Sequence, residues 1–151
     1  MAGPTAWYFA YGSNMNRAQM LARAGEIFEE RLVRLENFEL LFNKKARGGS
    51  ATANIQPAPG KTVEGVLYKI PESAFRNLDR FEGAPVHYRR TEVNVVDGKG
   101  VKTPAQAYIA TKVEKTGLRP TTHYLQAILD GADEHKLTAE YIEQIKAAAQ
   151  G

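Results

Sequence analysis

Cysteine is missing from the chain of 151 residues. Its absence excludes a disulfide-stapled scaffold, a thiolate zinc site and an enzyme with a thiol nucleophile. Histidine is scarce as well: His87, His123 and His135 lie far apart in the sequence, and no two of them have the spacing of metal ligands. We therefore expect no metal site, and a chain without cysteine suits the reducing cytoplasm.

The sequence also lacks long apolar runs and a strong excess of one charge. No segment approaches the ~18 consecutive apolar residues of a membrane span, and residues 1–5 carry no basic start of a signal peptide. The 20 basic and 17 acidic residues leave a net charge of +3, which favours anionic ligands weakly and is no nucleic-acid footprint. We expect a cytoplasmic protein with neither membrane nor nucleic acid as a partner.

What is present is the composition of one globular domain over residues 1–151, with 43% hydrophobic and 25% charged residues. Apolar patterning predicts strands over 7–10, within 28–42, and over 62–70, 88–96 and 101–110, the last two joined by a hairpin at Asp97-Gly98. Helices are predicted over 17–24, over the segment opened by Pro71 and ended by Gly83, and over 121–129 and 139–149. Strands and helices do not alternate regularly. The predicted fold class is therefore α+β, with a small, mixed, mostly antiparallel barrel-like sheet and flanking helices.

Three local features carry more specific expectations. The segment 47–61, rich in glycine and proline, is typical of a loop, a short strand and a turn. Gly65 lies inside a predicted strand, as at a β-bulge. In the second helix, the three-residue spacing of Phe75, Leu78 and Phe81 indicates a single apolar side.

The turn formed by Tyr11, Gly12, Ser13 and Asn14 is the first candidate site, between a buried strand and a helix. Glycine allows close backbone approach, and successive amide groups in such a turn can hold an anion. Ser13 and Asn14 add side-chain donors. The alternative is a plain strand-to-helix turn in which Asn14 or Asn16 caps the helix.

Glu82 is the second candidate, because an acidic residue at a helix C-terminus opposes the helix dipole. Beside Tyr88 its pKa could be raised, which would suit a general base. The alternative is a solvated surface glutamate paired with a neighbouring arginine, Arg80, Arg89 or Arg90.

Four tyrosines form the third candidate set, since each lies in or beside a predicted strand. Their hydroxyls could line a polar pocket or merely satisfy a wet edge of the core. They are Tyr8, Tyr11, Tyr88 and Tyr108.

Four segments of the sequence, taken together, follow a known pattern. Residues 8–15 read Y-F-A-Y-G-S-N-M and residues 78–83 read L-D-R-F-E-G. Residues 63–68 read V-E-G-V-L-Y, and the tail 131–141 reads G-A-D-E-H-K-L-T-A-E-Y. Residues 8–15 resemble the motif Y-F-A-Y-G-S-N-[LM], and residues 63–68 resemble V-x-G-x-[LV]-[YW]. Residues 78–83 resemble L-D-x-x-E-G, and residues 131–141 resemble G-A-x-x-x-x-L-x-x-E-Y. All four are motifs of the gamma-glutamylcyclotransferase-like family, which includes AIG2-like and BtrG-like proteins.

The resemblance implies a small α+β fold around a closed or nearly closed barrel, and a reaction without a cofactor. In that reaction the γ-glutamyl group of a small molecule is cyclised to 5-oxoproline and an amine is released, a lyase-type acyl transfer. By position in the motifs, Glu82 corresponds to the catalytic acid/base. The loop that holds the glutamyl moiety corresponds to Tyr11, Gly12, Ser13, Asn14 and Met15, and the pocket tyrosines correspond to Tyr88 and Tyr108.

The resemblance leaves the leaving amine open among an amino acid, an amine such as the crosslink ε-(γ-glutamyl)lysine, and a carrier-linked group. The glutathione-specific branch usually carries Y-G-S-L, so the Y-G-S-N of this chain disfavours it. A non-catalytic binding module for a small anionic γ-glutamyl-type metabolite is the alternative function. The protein is expected to be a monomer or a homodimer.

The short basic cluster of Lys44, Lys45 and Arg47 is interpreted as a solvated loop. A nucleic-acid binder that uses this cluster together with Arg89 and Arg90 is the weakest alternative, and it would bind heparin in a strongly salt-dependent manner.

Overall fold

The computed structural model describes residues 3–114 and 118–151, and within these ranges the chain forms five strands and four α-helices. The strands are β1 Thr5–Ala10, β2 Glu29–Lys45, β3 Ala51–Pro71, β4 Tyr88–Val96 and β5 Lys102–Ala110. The helices are α1 Arg17–Ala24, α2 Phe75–Glu82, α3 Thr122–Glu134 and α4 Ala139–Ala148, with short 3-10 turns over Ser13–Met15 and Glu72–Ala74. None of the described helices combines the length and the apolarity that crossing a membrane requires.

The five strands close into a barrel in the order β1-β3-β2-β4-β5. Neighbouring strands pair antiparallel except at the closure, where β1 runs parallel to β5 and Tyr8 pairs with Gln106. Fully buried side chains such as Phe9, Ile55 and Val66 form the core. The predicted α+β class, with a mixed and mostly antiparallel barrel flanked by helices, is confirmed.

β3 is longer than the sequence pattern predicts. The segment 47–61 belongs to this strand from Ala51 onward, so its prediction as loop, short strand and turn is wrong over most of its length. The β2–β3 register shifts between Glu36 and Phe38, where Asn37 has a φ of 65°. The side-chain oxygen of Asn37 accepts a hydrogen bond from the Gly60 amide at 3.0 Å. A bulge thus absorbs turn-forming residues that would otherwise end a strand.

Gly65 allows close strand packing and does not mark the predicted β-bulge. It pairs with Val33 in regular register, so the predicted bulge is not at this position. A Cβ atom at Gly65 would collide with the carbonyl oxygen of Ala10 and lie 2.7 Å from the ring of Phe9. The glycine therefore allows close packing of β3 against β1 at the end of β1 that leads into the candidate site.

Gly65→Ala is expected to lower the free energy of unfolding by about 1–3 kcal/mol, because the backbone oxygen and the packed ring must shift to admit a methyl group. Denaturant unfolding measures this change. Gly98→Ala is the matched control, since a Cβ there meets nothing within 4 Å. A Gly65→Ala protein as stable as wild type would contradict the collision.

The ends of α1 and α2 and the hairpin follow their sequence signals, whereas the prediction that the third helix ends at residue 129 is wrong, since α3 continues to Glu134. Asn16 caps α1 by accepting the Gln19 amide at 3.1 Å, and Gly25 ends the helix in the left-handed conformation. Gly83 ends α2 in the same way, with a φ of 66°. The β4–β5 hairpin turns at Asp97, as predicted.

Phe81 departs from the predicted apolar side of α2. Phe75 and Leu78 are buried, whereas Phe81 is 59% exposed. Its ring lies 4.3 Å from the guanidinium carbon of Arg23 on α1. The prediction for Phe81 is therefore wrong: this aromatic ring stacks on a cation and does not enter the core.

Candidate active site

One large cavity, of about 1190 Å³, lies where the turn after β1, the end of α2 and the start of β4 meet. Seven of the eight residues predicted for the site line this cavity. They are Tyr11, Gly12, Ser13, Asn14, Glu82, Tyr88 and Tyr108. Tertiary structure thus brings together side chains that are separated by as many as 97 positions in the sequence.

Met15 is the predicted site residue that does not line the cavity. Its side chain is fully buried in the core. Its amide donates to the carbonyl oxygen of Gly12 at 3.0 Å, closing the 3-10 turn. Met15 is close-packed against Gly131 of α3, where an added Cβ would come within 2.7 Å of the Met15 Cβ. Met15 therefore holds the turn against α3 and leaves contact with a ligand to its neighbours.

The turn itself offers free amide groups. Within the described residues, the amides of Gly12, Ser13 and Asn14 have no protein acceptor. Unengaged, consecutive backbone amides beside a cavity can hold a carboxylate or an oxyanion. The turn therefore has amides suited to an anion, while Asn16 caps the following helix as the alternative prediction has it.

Asn14 is the residue that fixes the turn. Its side-chain amide donates to the Tyr8 hydroxyl at 2.9 Å. Its side-chain oxygen accepts bonds from Gln19 and Arg23, each at 3.0 Å. The Tyr68 hydroxyl donates to its backbone oxygen at 2.9 Å. Sequence reasoning missed Gln19 and Arg23, although their four-residue spacing places both on one face of α1.

Glu82 is an acidic residue on the cavity wall. It is the last residue of α2 and is half-buried. Burial raises the pKa of Glu82 from its ordinary 4.5 to about 7, while the Arg23 guanidinium acts in the opposite direction. Within the described residues the carboxylate makes no hydrogen bond or ion pair, and Arg90 binds Asp79 instead, at 2.9 Å. Glu82 is therefore not the arginine-paired surface residue of the alternative reading.

Two tyrosines tie α2 to the barrel. The Tyr11 hydroxyl donates to the backbone oxygen of Tyr108. The Tyr108 hydroxyl donates to Asp79 at 2.7 Å, one helical turn before Glu82. Burial raises the pKa of both tyrosines, so their hydroxyl groups stay protonated at neutral pH.

A second pair of tyrosines binds to β3 on the cavity wall. The Tyr88 hydroxyl donates to the Ala53 oxygen at 2.6 Å and lies 2.8 Å from the Thr52 hydroxyl. The Tyr124 hydroxyl of α3 accepts the Ala53 amide at 3.0 Å. Burial raises the pKa of Tyr88, and the charge of Glu82 adds to this effect. Tyr124 was not among the predicted site residues, since a tyrosine on an amphipathic helix reads as core.

The basic cluster is the predicted solvated loop only in part, since Arg47 is exposed in a turn and Lys45 is exposed at the end of β2, whereas Lys44 is buried. Lys44 and Lys45 end β2, and together with Arg47 they line the cavity. Only 8% of Lys44 is exposed.

Within the described part of the chain, no three His, Asp or Glu side chains gather as a metal site would require.

Comparison with known proteins agrees with this fold. Residues 62–145, more than half of the chain, match the AIG2-like family. A gamma-glutamylcyclotransferase of Homo sapiens is 33% identical, over 93% of this chain and 77% of the human protein. The putative gamma-glutamylcyclotransferase YkqA of Bacillus subtilis is 32% identical, over 93% of this chain and 50% of its own length. A solved structure of a gamma-glutamyl cyclotransferase superposes with a TM-score of 0.86 at 30% identity, covering 95% of this chain and 88% of that one.

A closed α+β barrel of this topology, with these relatives, defines an enzyme with cyclotransferase function. The chain belongs to the AIG2-like family of gamma-glutamylcyclotransferases. The family resemblance drawn from the sequence motifs is thereby confirmed.

Proposed function

We propose that the enzyme cyclises the γ-glutamyl group of a small substrate to 5-oxoproline and releases the attached amine, with Glu82 as general acid and base. One observation carries this proposal. A carboxyl group whose pKa burial raises to about 7 faces the same cavity as three unengaged turn amides. A proton acceptor poised near neutral pH and a site for negative charge are the two elements that the reaction needs.

The turn amides of residues 12–14 suit the anionic parts of the substrate. They could bind the α-carboxylate of the glutamyl group or the oxygen of its γ-carbonyl, where charge develops during attack. The Asn14 hydrogen bonds hold this turn in place before substrate arrives. Such preorganisation lowers the cost of stabilising the transition state.

The proposed reaction moves one proton in and one proton out of Glu82. The carboxylate first accepts a proton from the substrate's α-ammonium group, and the freed amine nitrogen attacks the γ-carbonyl carbon. A new C–N bond closes the five-membered ring and gives a tetrahedral oxyanion. The bond to the leaving nitrogen then breaks as Glu82 returns the proton to that nitrogen. The ring nitrogen still carries one surplus proton and passes it to the released amine, so that 5-oxoproline and an ammonium leave.

Positioning supplies much of the remaining catalysis. The attack is intramolecular, and a folded substrate has a high effective concentration of its own nucleophile. Every atom transferred belongs to the substrate or is the proton held by Glu82. The proposed route therefore needs no cofactor.

The test is a mass-spectrometric screen for 5-oxoproline. Purified wild-type protein is incubated with γ-glutamyl amino acids, γ-glutamyl amines and glutathione, with Glu82→Gln as the paired sample. We expect product from at least one compound with the wild type alone. Tight binding of 5-oxoproline or glutamate without product from any compound would favour the non-catalytic binding module instead.

The pH dependence of activity is expected to report on Glu82. Because the ionised carboxylate accepts the proton, kcat/KM should rise with pH through about 7. The Arg23 guanidinium lowers the pKa of Glu82, so Arg23→Gln should shift this rise in kcat/KM to higher pH. Arg76→Gln, which removes the same charge from an exposed position of α2, should leave the pH of this rise unchanged. A rise in kcat/KM that Arg23→Gln does not shift would contradict the electrostatic effect of Arg23 on Glu82.

A further inference from the structure

Lys44 is a mostly buried basic residue on the wall of the cavity. Its side chain is 8% exposed, and it lines the cavity that contains Glu82. No carboxylate of the described residues lies within ion-pair distance of it, and the five residues outside those ranges include no aspartate or glutamate. A cation that lines a cavity and has no carboxylate partner can attract an anionic group of a ligand.

Lys44 is connected to the catalytic region through β3. It pairs with Thr52 in the β2–β3 register. The Thr52 hydroxyl donates to the Lys44 backbone oxygen at 3.2 Å and contacts the Tyr88 hydroxyl at 2.8 Å. The charge of Glu82 in turn raises the pKa of Tyr88. These contacts join the backbone of Lys44 to the cavity wall at Tyr88.

Further positive charge surrounds this part of the cavity. Lys45, Arg47 and Lys112 line the cavity together with Lys44, as do Arg23 and Arg80, and the acidic residues of the lining are Glu82 and Glu114. Six basic side chains against two carboxylates leave more positive charge than a single anionic group would neutralise.

We propose that Lys44 and its basic neighbours bind the leaving half of the substrate, and that this half is an amino acid with two carboxylates. The inference rests on the proposed cyclotransferase reaction and names its substrate class: a γ-glutamyl dicarboxylic amino acid. The turn amides bind the glutamyl half, Glu82 faces the scissile amide bond, and Lys44 with its basic neighbours binds the acidic leaving group. Lys44 acts here as a specificity-determining residue.

Three substrates that differ in leaving-group charge test this proposal. They are γ-glutamylglutamate, γ-glutamylglutamine and γ-glutamylbutylamine, which carry two, one and no carboxylates on the leaving half. We expect kcat/KM to fall by about 10-fold or more at each step, since hydrogen bonds to charged groups are strong when partly buried. The preference should weaken as ionic strength rises. Equal kcat/KM for all three would overturn the proposal.

Lys44→Met removes the charge while keeping most of the side-chain volume. It should lower kcat/KM for γ-glutamylglutamate by about 10- to 100-fold and change that for γ-glutamylbutylamine little. Lys61→Met is the matched control, because Lys61 is an exposed lysine that pairs with Glu39 outside the cavity. If Lys44→Met alters the three substrates no more than Lys61→Met does, Lys44 does not determine specificity.

Binding to Glu82→Gln separates this inference from the proposed reaction. Calorimetric titration with γ-glutamylglutamate and γ-glutamylglutamine requires no turnover. Tighter binding of the acidic compound, lost in the double variant with Lys44→Met, supports the anionic subsite even if no 5-oxoproline forms. Equal affinities would overturn it even if the wild type makes 5-oxoproline from both.

Discussion

Glu82→Gln is expected to lower kcat by about 10²- to 10⁴-fold, the contribution typical of a positioned general acid/base. Glutamine keeps the size of the side chain but cannot accept the α-ammonium proton or return it to the leaving nitrogen. Steady-state release of 5-oxoproline measures the loss. Glu92→Gln, at an exposed position of β4, is the matched control and should keep full activity.

The same substitution should leave the fold intact. The pKa of Glu82 rises from 4.5 in the exposed chain to about 7 in the folded protein, so the folded state binds more protons between these values. Wild-type stability therefore falls as pH rises through this window. A neutral glutamine avoids burying that charge, and at pH 8 the variant should melt at or above the wild-type Tm. Full turnover by Glu82→Gln would contradict the mechanism, whereas a lower Tm would contradict burial of the charge.

Asn14→Ala is expected to have the second largest effect, about a 10²-fold loss of kcat/KM. The substitution removes the side chain that joins Tyr8, Gln19 and Arg23 around the turn. Free to move, the turn amides no longer meet the substrate in one geometry. The variant should also lose about 1–3 kcal/mol of unfolding free energy, since buried polar partners stay unsatisfied.

Two measurements separate these effects of Asn14→Ala. Chemical unfolding gives the stability loss, and kinetics well below the Tm give the catalytic loss in folded protein. Asn94→Ala, an exposed position on β4, is the control and should change neither quantity. A variant that is destabilised yet retains wild-type kcat/KM would show that the turn needs no fixing by Asn14.

Much of the candidate site could be predicted because its signals are local. Gly12 and the polar residues after it follow a buried strand directly, and Glu82 stands before the glycine that ends α2. Both features are unusual within a few residues of sequence, and family motifs cover both. The pKa of Glu82 also follows the predicted direction, with burial as its cause.

The remaining site residues could not be predicted because their role depends on distant neighbours. Tyr124 reads as an ordinary helix residue until α3 lies against β3 and its hydroxyl accepts the Ala53 amide. Lys44 reads as a solvated lysine until β2 carries it to the cavity wall. Residue type and spacing carry no information on which surfaces later meet.

Caps, turn residues and motifs act over a few positions, so the ends of α1 and α2, the β4–β5 hairpin and the family could be predicted from the sequence alone. Tertiary structure alone decided three features. The parallel contact of Tyr8 with Gln106 closes the barrel, the bulge at Asn37 lets β3 run on past Gly60, and Phe81 turns from the core to Arg23. Each of these depends on contacts between residues far apart in the chain, and such contacts form only when the whole barrel folds.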